Sequence, residues 1–292
     1  MIGGSELQDE PMGTKVKFWV TIPDDERPWL FKFARERDGI VRGEDWAEWV
    51  VHEVSSLIGV PTAVVRPAHS EGHRGIVSRS VVNHVNLERL VHGNSLLSEV
   101  DPAYDGELMR ANPRYTVDAV RSALRGVEAP TEFAGPRQFT GFDVWTGYLV
   151  MDALVAGRDR HHENWGIISS QMGRKLAPSF DHGNALGFQE SDERRTFLLA
   201  NAAAFDGWLA RGKSHHFAGR PSLLAVAQEA LNATSVEVRR FWLERLRSLS
   251  PQDVRSIVES VPKEVMSDPT RTFATSIIFA NRERVLRDYS DC

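Results

Sequence analysis

The 292-residue sequence has almost no cysteine; its one copy is Cys292, the last residue. A disulfide framework is therefore excluded, and so is a metal site built on thiolates. An excess of positive charge is also missing. The formal net charge is −5, which argues against general nucleic-acid binding, where a basic face is expected. Long apolar runs are absent. The longest, 148–156, is interrupted by Asp152 and is far too short to span a bilayer. The opening MIGGSELQDEPMG lacks the basic start and apolar core of a secretory leader. What is present is ordinary for a globular chain: 41% hydrophobic and 26% charged residues, long enough for one large core or two lobes sharing a cleft. A soluble, cytoplasmic protein without membrane contact is the expectation.

Read in order, residues 1–14 are polar and glycine-containing, as in a mobile arm. In 15–22 (KVKFWVTI), Val16, Phe18, Val20 and Ile22 alternate with polar or half-buried positions, the period of a strand with one buried face. PDDERP follows as a turn. WLFKFA (29–34) reads as the returning strand, with Lys32 in its middle. Ala47, Val50, Val51, Val54, Leu57 and Ile58 lie on one helical stripe, ended by Gly59 and Pro61. Two β-branched runs, 62–66 and 76–82, complete a β-β-α-β-β unit. Beyond about residue 90 the texture changes. The segment 94–126 is irregular, 142–156 is a buried helix, and 200–292 is helical. The expectation is an α+β, two-lobed fold, with a small β-rich lobe over 1–90 and a larger, mainly helical lobe over 91–292.

The segment 155–187, VAGRDRHHENWGIISSQMGRKLAPSFDHGNALG, concentrates Asp159, His161, His162, Asn164, Asp181 and His182 around an expected hairpin. If the hairpin is centred between Met172 and Gly173, Asn164 falls opposite Asp181, with Cβ atoms about 5 Å apart. Two such oxygen donors suit Mg²⁺, which takes one or two carboxylates and completes its shell with phosphate oxygens and water. Asp159, five residues before Asn164, is left to orient a substrate hydroxyl and take its proton. An acid, an Asn five residues on, and a second Asp after the next strand form the kinase catalytic arrangement.

Lysine within LFKF is costly to bury unless it is paired. It is either an edge-strand lysine facing solvent or the lysine that holds the α- and β-phosphates of ATP. For the second role a helix glutamate is needed. Glu48 is the natural partner, and Glu44 and Glu53 are competitors. Gly13, Thr14 and Lys17 (or Lys15) stand where backbone N–H groups and a cation would cover phosphates, although Gly13 also reads as a plain turn glycine.

LFK, GEDWAEW on a helix ending LIGVP, GIVSRSV, GNSLL, GRDRHHENWGI and LAPSFDHG occur in that order. Together they resemble the HipA-like serine/threonine kinases. The resemblance implies a two-lobed kinase-like fold that uses ATP and Mg²⁺. It implies Asp159 as catalytic base, Asn164 and Asp181 as metal ligands, and Lys32 with Glu48 on the phosphates. Ser80 and Val81 would belong to the hinge that meets adenine. The expected acceptor is a serine or threonine hydroxyl of a protein, this chain included. No counterpart of the family's longer glycine- and serine-containing phosphate loop is found. The chain reads as the short, core-only form, so an antitoxin-type partner is compatible but not implied.

Three other readings compete. A small-molecule hydroxyl would be phosphorylated by the same core residues. A pseudokinase would bind nucleotide without transfer. In a metal-dependent hydrolase, Asp159, His161, His162 and Asp181 would hold a transition metal; adjacent histidines and the lack of an HxxxH spacing weigh against it. In the kinase reading His161 braces Asp159 and bonds loop carbonyls, His162 is exposed, and His215-His216 is a pair in a polar loop.

Overall fold

A computed structural model describes residues 6–9, 17–23, 25–37 and 40–289. The N-terminal part is a five-stranded antiparallel sheet in the order β1-β2-β3-β7-β6, formed by β1 (Glu6–Asp9), β2 (Lys17–Val20), β3 (Trp29–Phe33), β6 (Val65–Ser70) and β7 (His73–Arg79). A short ribbon, β4 (Glu36–Arg37) and β5 (Ile40–Val41), leads into helix α1 (Glu44–Leu57). The expected alternation holds in β2, where Phe18 and Val20 are buried. They stack with Trp29, Phe31 and Val77 into an apolar cluster on one sheet face. Leu30 and Lys32 point the opposite way by strand alternation.

Two expectations are corrected. The stretch read as a mobile arm contributes edge strand β1, paired with β2. The strands expected at 62–66 and 76–82 instead run 65–70 and 73–79. The reason is a two-residue turn in which Glu71 and Gly72 take φ of 51° and 81°, the geometry that matches strand twist in a tight hairpin. Residues 61–63 are diverted elsewhere. Ala63 N–H donates to the Ser179 carbonyl at 2.8 Å, and Ser179 N–H donates to the Pro61 carbonyl at 2.9 Å.

Helix α1 follows the predicted stripe, with Ala47, Val50, Val51 and Val54 fully buried. Glu44 and Asp45 in its first turn suit the positive end of the helix dipole. Gly59, at φ 73°, turns the chain away just past its end. This apolar face belongs to the same core as the helical part, so α1 joins the two.

Strand β8 (Arg89–His92) pairs with β9 (Gly166–Ser170), which pairs with β10 (Gly173–Leu176). The change from one sheet to the other therefore falls between β7 and β8. Helices α2 (Gly93–Val100) and α3 (Val117–Ala123) precede α4 (Gly141–Val155). Helix α4 is buried on all sides, as expected for a helix that is apolar all round. A reciprocal cap between Thr140 and Asp143 starts it. Around it pack α5 (Asp192–Ala200), α6 (Ala202–Ala210), α7 (Leu223–Ala233), α8 (Val236–Arg247), α9 (Pro251–Ser260) and α10 (Asp268–Arg287). Among the described residues no helix is long and apolar enough to cross a membrane.

Candidate active site

The hairpin forms, but its register differs from the expectation. Gly173 pairs with Ser170 and Leu176 with Ile167, so the loop is the pair Gln171-Met172. Gly173 closes it at φ 121°, and Ser170 Oγ accepts from Met172 N–H at 3.1 Å. The centre lies one residue earlier than predicted, and Asn164 and Asp181 lie beyond the ladder. They do not face each other across paired strands.

Asp181 reaches the site by another route. After Ala177 the chain leaves the hairpin, and Ser179 joins residues 61–63 beyond α1. That detour carries Asp181 to the sheet and to α1. Gly183 permits the approach, since a Cβ there would lie 3.1 Å from the Glu44 carbonyl oxygen and 3.6 Å from Glu48 Oε2. Asp181 itself has φ 61°, a left-handed conformation that Asp tolerates better than most residues but that still costs about 1–3 kcal/mol.

Lys32 Nζ donates to Glu48 Oε1 at 3.3 Å and to Asp181 Oδ1 at 3.1 Å. The expected lysine–glutamate pair therefore exists, with Asp181 as a third member. Glu48 sits in the second turn of α1. Of its competitors, Glu44 lies 3.8 Å from Arg35 instead. Burial alone would lower the Lys32 pKa, but the charges of Asp181 and Glu48 outweigh it and raise it. Lys17 stands directly opposite Lys32 in the β2–β3 pairing. Gly13 and Thr14 lie outside the described residues.

Asp159 and Asp181 line one crevice, together with Gly157, Asn184 and Ala185. Burial pushes the Asp159 carboxyl up, but opposing effects, the hydrogen bond from His216 foremost, hold it below its ordinary value. Asn164 donates through Nδ2 to the Asp159 backbone carbonyl at 2.7 Å, which turns its amide oxygen away from that anchor. Ser80 is buried, and its N–H is committed to the Pro28 carbonyl at 2.9 Å. Of the two hinge residues, only Val81 keeps its N–H out of the backbone bonding among the described residues.

Sequence reasoning missed the network beneath the site. Arg160 is 5% exposed and grips both oxygens of Asp152, each at 2.8 Å. Its remaining nitrogen donates to the Asn164 carbonyl and to Ser179 Oγ, also at 2.8 Å. Ser179 Oγ also hydrogen-bonds His182 Nε2, 2.8 Å away. His182 is buried, and burial drives its pKa well down. One arginine thus ties helix α4, the loop 159–164 and the segment 179–182 together. The signal was available: an aspartate inside a wholly apolar helix demands a buried cation.

The histidine expectations are also revised. His162, expected to be exposed, is 1% exposed, with Nδ1 at 2.7 Å from the Tyr104 hydroxyl. His161 accepts the Glu163 N–H at 3.2 Å rather than bracing Asp159. The brace is His216, whose Nε2 lies 3.0 Å from Asp159 Oδ1. Among the described residues no group of three or more His, Cys, Asp or Glu is arranged to hold a metal.

The solved structure of the proinflammatory kinase CtkA from Helicobacter pylori superposes on 98% of this chain and 94% of its own, with a TM-score of 0.74 at 16% sequence identity. This is a kinase fold. The two-lobed architecture expected from the sequence, a small antiparallel sheet followed by a larger helical part, agrees with it. A chain of the HipA, HipB and operator DNA complex from Shewanella oneidensis MR-1 is similar over 95% of this chain and 65% of that one, with a TM-score of 0.48 at 12% identity. No protein-family model matches the sequence, and no curated protein matches it.

Proposed function

We propose that the chain is an ATP- and Mg²⁺-dependent phosphotransferase acting on a hydroxyl, with serine or threonine of a protein, this chain included, as the acceptor. The observation that carries this reading is the ammonium of Lys32 shared between Glu48 and Asp181, at one side of a crevice that Asp159 also lines. A metal hydrolase has no use for a lysine held by a helix glutamate. A kinase needs one to steady the α- and β-phosphates.

The donors suit the implied metal. Asp181 and the anchored amide of Asn164 offer hard oxygens, and the Lys32 ammonium already occupies a cation's position against Asp181. Bound there, Mg²⁺ would neutralise charge on the β- and γ-phosphates. The chain's own residues do the rest. Lys32, with Lys17 beside it, holds the phosphates. The Val81 N–H and neighbouring carbonyls serve adenine. His216 engages Asp159 Oδ1, so the second carboxylate oxygen faces the acceptor hydroxyl, orients it and takes its proton. The acceptor oxygen bonds to the γ-phosphorus as the bond to the β–γ bridging oxygen breaks, and ADP leaves. Most of the rate then comes from positioning and charge stabilisation.

The test is incubation with γ-labelled ATP, Mg²⁺ and a cell lysate, with the labelled species identified by mass spectrometry. Label on serine or threonine is expected; label on a small molecule would redirect the acceptor assignment. Asp159→Asn is expected to keep its stabilisation by Mg-ATP in a melting assay and to lose transfer by about 10²–10⁴-fold. A wild-type protein that neither transfers phosphate nor is stabilised by Mg-ATP would overturn the reading.

A further inference from the structure

His216 is buried, with a side chain 7% exposed, and it sits between two oxygens. Its Nδ1 is 2.6 Å from the Met109 carbonyl and its Nε2 is 3.0 Å from Asp159 Oδ1. A carbonyl only accepts hydrogen bonds. An ionised carboxylate also only accepts. A neutral imidazole carries one N–H and can satisfy one of the two. Both contacts are made at once only if His216 carries both protons, or if Asp159 is itself protonated. The second alternative runs against the neighbourhood: burial pushes the Asp159 carboxyl up, but opposing effects, the hydrogen bond from His216 foremost, hold it below its ordinary value.

The ring has little freedom to choose one partner and abandon the other. The Met109 carbonyl is fixed because its segment is strapped to the one carrying His216. Ala111 N–H donates to the His215 carbonyl at 2.8 Å, and Asn112 N–H donates to the His216 carbonyl at 3.2 Å. The amide of Asn112 in turn bonds the Asp105 carbonyl at 2.8 Å. The groups facing His216 are Asp159, His161 and His162 from the loop after α4. His215 lies beside it in sequence and feels the charges of Arg158, Arg110 and Arg220. His161 and His162 are both driven down to about 4 by burial, so they are neutral near pH 7. They leave His216 as the one histidine of the group with two acceptors to serve.

We propose that His216 is a positioning residue for Asp159: an imidazolium clamped between the Met109 carbonyl and Asp159 Oδ1, which fixes the rotation of the carboxylate and presents its other oxygen to the acceptor hydroxyl. The inference rests on the phosphotransferase reading for its consequence, but not for its chemistry. His216 stands more than fifty residues beyond the catalytic loop, in a segment with no motif of its own.

The chemistry is read by ¹⁵N NMR of histidine-labelled protein at neutral pH. Wild type is expected to show one histidine with both ring nitrogens protonated. In Asp159→Asn the amide offers its own N–H to Nε2, and that histidine should revert to the singly protonated form. A wild-type spectrum in which every histidine is singly protonated overturns the proposal. The consequence is read by two substitutions. His216→Gln sets an amide near the Nε2 position and keeps a donor on Asp159. His216→Asn sets it near Nδ1 and keeps only the Met109 bond. If the residue positions Asp159, the Asn variant loses kcat by about 10²-fold and the Gln variant by about 10-fold or less. If the residue only straps the loop, Asn is the better substitute, and that order overturns the proposal. A doubly protonated histidine in a wild-type protein that transfers no phosphate would leave the clamp standing and fell the phosphotransferase reading instead.

Discussion

Two cations stand at the site, Arg160 lining the crevice and Lys32 bonded to Asp181, which also lines it, and carboxylates hold each of them in a different way. Arg160 meets Asp152 one to one, in a fork, at 5% exposure, and spends its remaining donors on Asn164 and Ser179. The set is neutral and saturated. Lys32 faces two carboxylates, Glu48 and Asp181, and Asp181 keeps a side chain 41% exposed. That set is reached by solvent at Asp181. A saturated buried fork has nothing left to offer a ligand, and its value lies in fixing three segments relative to one another. A half-exposed set can exchange partners: on the phosphotransferase reading the ammonium passes to phosphate oxygens and the carboxylate to a cation. The two sets are therefore told apart here by geometry and exposure, although they stand within one site.

The sharpest way to break that comparison is to remove Arg160. Arg160→Met leaves Asp152 charged and buried, and stability measured by urea denaturation should fall by about 3–5 kcal/mol. Replacing both members, as Asp152→Leu with Arg160→Met, should recover much of the loss, because the desolvation cost goes with the charges. If the single variant lost less than about 1 kcal/mol, the fork would not be structural. Next in size, Asp181→Asn should leave stability within about 1 kcal/mol, since Asn also tolerates the left-handed backbone. Transfer should nevertheless fall by about 10²-fold or more, with loss of Mg²⁺-dependent ATP stabilisation. Equal damage to fold and transfer would erase the distinction between the two sets.

The smallest expected effect lies in the acid limb of stability. His161 and His162 are depressed from 6.5 to about 4 by burial. Between those values the unfolded chain binds protons that the folded one refuses, so stability is intact above pH 6.5 and falls as the pH drops toward 4. Each contributes on the order of 1–2 kcal/mol once the partial exposure of His161 is allowed for. His162→Gln keeps an acceptor for Tyr104 and should flatten roughly half of this slope in melting curves taken across that range.

Much of the fold was legible because it rests on local period. The alternation of 17–20, the stripe of α1 and the all-apolar α4 each follow from burying one face or all faces. The Lys32–Glu48 pair was legible for a related reason: a lysine in an apolar strand must find an acid, and the next helix carries one at the right depth. The hairpin register was not legible. It depended on whether Gly173 closes the turn or sits inside it, a choice between two local geometries that composition does not separate. His216 was invisible, since its role comes from a loop meeting Asp159 across more than fifty residues.

By itself, the sequence determined which residues would be costly to leave alone: Lys32, Asp159 and Asp181 in apolar or glycine-flanked surroundings, with a single cysteine, Cys292, too few to build a thiolate metal site. Tertiary structure alone decided which acid meets which cation. Asp181 reaches Lys32 not by facing Asn164 in a hairpin but because residues 177–181 peel away to pair with 61–63. Asp159 is oriented by an imidazole from a distant strap. Charge and hydropathy are local properties, and one chain position reveals them. Partnership is a property of distance, and that is set only when the segments pack.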